Sequence, residues 1–242
     1  VTVRRVLLPG LTIPPDDYEE LVALLPGQTV VLNTLVTPVT GTTIELRSAM
    51  TVPHEPYELV GHSIGALAAL EWAAQSPAAV SRLVLLDPTD AYGTPVPVAL
   101  GGTPGRVLVG VIGRLSRSRR IARTIGRWGR RTVLGMYGIT TDPLPTTRID
   151  ELFGTRDGVA AAVVQVVGTP ALVLRARALL DSAPMLPPIV IVTSQGGAAS
   201  DHEATAMLAA MLGAELVDSP GGHLFPMTHP SETANLIARQ SR

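Results

Sequence analysis

Gly61-His62-Ser63-Ile64-Gly65 is a G-x-S-x-G pentapeptide set between the apolar stretch Tyr57-Glu58-Leu59-Val60 and the small-residue run Ala66-Leu67-Ala68-Ala69-Leu70. That context reads as strand, sharp turn and helix, the arrangement in which such a pentapeptide becomes a nucleophile elbow. The turn holds its serine in a strained conformation, and the glycines leave room where a Cβ would clash. Ser63 then stands at a helix N-terminus, whose N–H groups and dipole favour developing negative charge. The same pentapeptide also arises by chance in glycine-rich chains, so its weight depends on what surrounds it.

Outward from the elbow, strand-like and helix-like segments alternate at both ends of the chain, which predicts a parallel sheet covered by helices. Strands are expected at 3–8, 29–35, 57–60, 82–86, 189–193 and 214–217, and helices at 16–25, 64–75, 201–212 and 231–239. Ser76-Pro77 ends the elbow helix, and Pro230 suits the first turn of the last one. Residues 90–186 differ: they are rich in Gly, Pro and Arg, and their apolar pattern is helical. They read as a cap inserted between two core strands, with the core formed by 1–89 and 187–242. The longest apolar stretch, 158–174, carries Gln165 and Pro170 and predicts a buried helix with a break.

Composition excludes several classes of function. The 242 residues fit one α/β domain with an insertion, or at most two small domains, and 46% hydrophobic residues supply a core. A net charge of −1 argues against general nucleic-acid binding. The absence of cysteine excludes disulfides, thiolate metal sites and a cysteine nucleophile. All 19 basic residues are arginine, which also excludes lysine nucleophiles and Schiff bases. No H-E-x-x-H spacing is present, and Gly101-Gly102-Thr103-Pro104-Gly105 is not followed by Gly-Lys-Ser/Thr, so neither a metal nor a nucleotide cofactor is expected. The apolar run at 3–8 is too short for a signal peptide or a membrane span, which makes a cytoplasmic protein the expectation.

The order of motifs resembles the α/β-hydrolase superfamily over the whole chain. Val6-Leu7-Leu8-Pro9-Gly10-Leu11 is similar to the first strand and H-G-x loop, with proline in the histidine place. Leu59 to Gly65 is similar to the elbow, and Ala79 to Pro88 to the strand that follows it. Gly221-Gly222-His223, ahead of His229-Pro230, is similar to the loop bearing the catalytic histidine. The resemblance implies a mostly parallel sheet of about six strands flanked by helices, lacking the N-terminal hairpin of many members and carrying an inserted helical cap.

A serine hydroxyl needs a base within hydrogen-bond reach. The best candidate is His223, in a Gly-Gly loop after the last expected strand. His54, His62, His202 and His229 are weaker: His62 should point away from the elbow, and His202 and His229 look like helix-start residues. The acid that orients the base usually follows the strand at 189–193, but the loop there, Ser194-Gln195-Gly196-Gly197-Ala198-Ala199, holds no carboxylate. Asp201 falls in Ser200-Asp201-His202-Glu203, which fits a helix capping box. The resemblance offers Asp87 instead, at the strand end where polyketide-synthase thioesterase domains and some dehalogenase-like and lipase-like members carry their acid. Asp87 is therefore preferred over Asp201 and Asp90. The oxyanion hole implied by the family is the backbone N–H groups of Leu11 and Ile64.

The expected activity is hydrolysis of a carboxylic ester or thioester with an apolar acyl part, through an acyl-enzyme on Ser63. The alternatives are acyl transfer or cyclisation, carbon–carbon hydrolysis or a lyase reaction with the same residues, or a non-catalytic binding member of the fold. Residues 106–131 hold nine arginines and no acid. Their helical spacing predicts a solvated cap face. The functional alternative is a docking surface for an anionic group, such as a phosphopantetheine arm, coenzyme A, an acidic carrier protein or anionic lipid.

Overall fold

Alternation along each strand decides which side of the sheet a residue covers. In β1 (Arg4–Leu8), Val6 and Leu8 enter one apolar cluster and Leu7 the other. In β3 (Tyr57–His62), Leu59 faces the first cluster and Val60 the second. In the computed structural model, residues 4–52, 56–93, 103–196 and 199–239 are described. The expected strand residue Val3, His54, and Gly101 and Gly102 lie outside them.

Six strands form one parallel sheet in the order β2-β1-β3-β4-β5-β6, where β2 is Gln28–Val31, β4 Val80–Leu86, β5 Ile189–Ser194 and β6 Glu215–Ser219. Chain direction across the sheet reverses at β1 and β3, so the loops leaving their carboxyl ends diverge and open a crevice between them. At the opposite end of the strands, buried Glu58 sits between Arg5 and Arg82, its register partners on β1 and β4.

One face of the sheet is covered by a 3-10 turn (Pro15–Tyr18) with α1 (Glu19–Leu24), by α9 (Phe225–Thr228) and by α10 (Pro230–Arg239). The other carries α3 (Ile64–Gln75), α8 (Ala199–Leu212) and, outside α3, α2 (Thr43–Ser48) and α7 (Arg156–Asp181). Alanines 66, 68, 69 and 73 let α3 lie close to the strands, and it is apolar nearly all round because α7 covers its outer side. Sequence reading passed over α2, although Thr42 and Glu45 form a reciprocal capping box at its start.

Between β4 and β5 the chain forms α4 (Thr103–Leu115), α5 (Arg119–Met136), α6 (Thr146–Leu152) and α7. The break expected near Pro170 is absent, and α7 runs through it. Packing on both sides of the proline holds the helix continuous: Val159 and Gln165 are buried before it, and Leu172, Val173, Ala176 and Leu180 enter the core after it. By length and composition α7 is apolar enough to cross a membrane. Here its second half is part of the core.

Candidate active site

Ser63 follows the last residue of β3 and adopts φ 55° and ψ −124°, a conformation that non-glycine residues rarely take. Hydrogen bonds hold it there: its N–H donates to Leu86 at 2.9 Å, and its carbonyl accepts from Thr89 at 3.2 Å and Ala66 at 3.0 Å. Both bracketing glycines are required. A Cβ on Gly61 would stand 2.6 Å from Cα of Ala66, and one on Gly65 would collide with the carbonyl oxygens of Leu8 and Pro9. The helix thereby packs directly against the strand and against the loop that follows β1.

His223 comes from the loop after β6, and Gly221, at φ 88°, gives that loop its turn against the ring of His229. The Ser63 hydroxyl lies 2.8 Å from His223 Nε2, and His223 Nδ1 lies 2.6 Å from Asp87 Oδ2. With Nδ1 protonated and bonded to the carboxylate, Nε2 is free to accept the serine proton. Asp87 stands just beyond β4 at φ 42°, which turns its side chain toward the end of β5. There Ser194 donates to both carboxylate oxygens, its N–H to Oδ1 at 2.9 Å and its hydroxyl to Oδ2 at 3.0 Å. Burial opposes charge on Asp87, but the bond and charge of His223 and the two Ser194 bonds outweigh it and hold the carboxyl below the usual range.

Ser194 is the residue that sequence reading missed here; the end of β5 supplies two donors to Asp87 and no carboxylate of its own. Asp201 is exposed in the first turn of α8, and Asp90 accepts from the Tyr92 N–H in a local turn. His202 is exposed on α8, and His229 pairs with the Thr228 hydroxyl.

His62 has no bond to Ser63 Oγ, yet it is part of the assembly. As the second residue after Val60 it faces the same side of the sheet, where Tyr18 and the His223 loop lie. Its Nε2–H donates to the carbonyl of His223 at 3.0 Å, and its Nδ1 accepts from the Tyr18 hydroxyl at 2.6 Å. That hydroxyl in turn accepts the Gly10 N–H at 3.1 Å. Burial, with the neighbouring His223 second, lowers the His62 pKa to about 3, so the ring is neutral and fixed in one tautomer. One buried chain of bonds thus joins the loop after β1 to the backbone of His223.

The N–H groups of Leu11 and Ile64 have no acceptor among the described residues. Next to Leu11 in the chain, the Thr12 N–H donates to buried Gln165 on α7, whose amide donates to the carbonyl of Thr34. The cap therefore steadies the loop that carries Leu11. It also supplies Tyr137, at the end of α5, which stacks on His223 with ring centroids 4.3 Å apart and planes 24° apart. A cavity of about 250 Å³ lies between α4, α5 and α7, walled by Leu108, Ile112, Ile125, Phe153 and Val163, and reaches Thr12.

The alpha/beta hydrolase family profile matches residues 1–236. The chain belongs to the alpha/beta hydrolase family. No curated protein matches it. Among solved structures, this hydrolase is similar to the Cif epoxide hydrolase from Acinetobacter nosocomialis, at 15% identity and TM-score 0.71, over 99% of this chain and 82% of that one. It is similar to the enol-lactonase from Burkholderia xenovorans LB400, at 14% identity and TM-score 0.64, over 99% and 91%. A loop variant of a haloalkane dehalogenase from Bradyrhizobium elkanii gives 14% identity and TM-score 0.65, over 99% and 88%. At these identities the likeness is one of fold, and the chemistry must be argued from the residues of this hydrolase.

Proposed function

We propose that this hydrolase cleaves a carboxylic ester or thioester with an apolar acyl part through an acyl-enzyme on Ser63. The observation that carries this reading is the continuous line of bonds from Ser63 Oγ through the His223 ring to Asp87, at 2.8 and 2.6 Å. His223 Nε2 takes the hydroxyl proton as Oγ attacks the acyl carbon, and the carbonyl oxygen becomes an oxyanion facing the N–H groups of Leu11 and Ile64. The imidazolium, stabilised by Asp87, returns that proton to the alkoxide or thiolate as the C–O or C–S bond breaks. Water then loses a proton to His223 and attacks the acyl carbon, and Ser63 departs with the proton restored.

A serine at the elbow separates the substrate classes of the structural neighbours. Attack of a hydroxyl on the saturated carbon of an epoxide or haloalkane leaves an ether, which has no carbonyl for water to open. Attack on a lactone, ester or thioester leaves an acyl ester, which water does open. The cavity beside Thr12, with its mainly apolar walls, suits an apolar acyl chain. The arginines of α5 favour a leaving group that carries negative charge, such as a carrier- or coenzyme A-linked thiol, and a cytoplasmic setting goes with that choice.

The test is labelling by a fluorophosphonate probe, followed by turnover on p-nitrophenyl esters and acyl thioesters of graded chain length. Intact protein should label promptly, Ser63→Ala not at all and His223→Ala far more slowly. An intact protein that resists the probe, or turnover that falls as the acyl chain lengthens from the shortest member, contradicts the reading.

A further inference from the structure

The outward surface of the cap has a chemistry that Ser63, His223 and Asp87 leave unused. On α4, Val107, Val111 and Leu115 follow one another at i, i+4, i+8 spacing and are 58%, 51% and 50% exposed, while Gly105 and Ser116 on the opposite side are buried. On α5, Trp128 is 69% exposed and Ile121 40%. The same stretch of chain carries the exposed residues Arg106, Arg114, Arg117, Arg119, Arg120 and Arg131, none of which has an ion pair among the described residues. The other three arginines of the stretch are engaged: Arg123 and Arg127 share Asp150, and Arg130 is buried.

We propose that this α4–α5 face is a docking surface for an anionic lipid bilayer, on which the protein rests without spanning it. Arginines alone would suit any polyanion, but a polyanion leaves the Val107, Val111, Leu115 and Trp128 side chains uncovered. A second copy of the chain would cover them only by bringing two sets of unpaired arginines together. A bilayer meets both halves of the pattern. Its headgroups take the guanidinium groups, its acyl boundary takes the aliphatic side chains, and an indole is at home between the two. Leu108 and Trp128 belong both to this face and to the wall of the cavity that reaches Thr12, so an apolar chain leaving the bilayer meets the cavity there. That last connection rests on the proposed hydrolase activity; the docking itself does not.

Tryptophan emission tests it directly, because the chain has two tryptophans and Trp72 is fully buried. Full-length protein is mixed with vesicles of phosphatidylglycerol and phosphatidylcholine, or of phosphatidylcholine alone, and followed by emission and co-sedimentation. The expected result is a blue shift and pelleting with the anionic vesicles only, lost at high salt and retained in Ser63→Ala. Replacing Arg106, Arg114 and Arg117 by Gln should weaken binding roughly a hundredfold. Val111→Ser with Leu115→Ser should abolish the blue shift, and neither variant should alter turnover of a short soluble ester. Four results would overturn the proposal: equal binding to neutral vesicles, no binding to either, the same emission shift on adding polyglutamate, or a dimer by sedimentation that buries Trp128. Retention by Ser63→Ala keeps a failure of docking distinct from a failure of catalysis.

Discussion

Asp87 keeps its charge in a place where burial alone would neutralise it, and the groups that keep it charged are the ones that make it useful. Its carboxylate accepts three hydrogen bonds, two from Ser194 and one from His223, so it has one way to face the imidazole. Asp87→Asn would offer an amide N–H to Nδ1 and favour the tautomer with Nε2 protonated, which cannot take the serine proton. Turnover should fall by about 10⁴-fold, whereas Asp201→Asn on exposed α8 should leave it within about twofold, as read from kcat of parallel preparations. His62 makes a different prediction. Its ordinary pKa of 6.5 drops to about 3 in the fold, so between those values the unfolded chain holds a proton that the folded chain does not. Its contribution to stability is complete above pH 6.5 and is lost as pH falls toward 3, by about 1.4 kcal/mol per pH unit. Gln at this position can still accept from Tyr18 and donate to the His223 carbonyl. Urea unfolding of His62→Gln from pH 7 to pH 4 should therefore show a slope shallower by about that amount, and parallel slopes would exclude the buried neutral ring.

At the scale of elements, the strand ends do the positioning: β1, β3, β4 and β6 each release one part of the site at the carboxyl edge of the sheet. Part of this candidate site was legible in the sequence because a local pattern announces it. G-x-S-x-G marks the turn after β3 and Gly-Gly-His the loop after β6, whereas Asp87 at the end of β4 was singled out only by the resemblance to the α/β-hydrolase superfamily. Contributions without such a pattern were not legible. Ser194 reaches Asp87 only because β5 pairs with β4 in the observed register, and Tyr18 reaches His62 only because the 3-10 turn packs over the second apolar cluster. Tyr137 is further still, being 86 residues from His223 in sequence. Delivered by the end of α5, its ring covers one face of the imidazole, and its π cloud attracts the positive charge that forms there while His223 carries the serine proton. Leu at position 137 keeps the cover and removes that attraction, which is of order 0.5–1.5 kcal/mol. Tyr137→Leu should lower kcat about threefold to tenfold with little change in KM. A change confined to KM would assign the ring to substrate contact instead.

Across the whole molecule, core and cap are tied together at buried charge as well as at apolar surface. Arg130, on an α5 face that sequence reading treated as solvated, is nearly inaccessible. Its guanidinium bonds both oxygens of Asp17 in the core and both oxygens of Asp142 in the cap. Helical periodicity could not have singled it out from the arginines around it, because what distinguishes it is the carboxylate opposite, 113 residues away. Asp17 precedes Tyr18, so the tie ends beside the chain of bonds that joins Gly10, His62 and the His223 backbone. Arg130→Met would leave the Asp17 carboxyl, 0% exposed, without its cation. The expected cost is about 3–5 kcal/mol in urea unfolding, since a buried charge that loses its partner is far more costly than a pair that was never there. Adding Asp17→Asn removes that charge and should restore roughly half of the loss. If the double variant is instead no more stable than Arg130→Met alone, the penalty comes from lost packing on Phe153, over whose ring the guanidinium also lies at 5.6 Å, and not from the orphaned carboxylate.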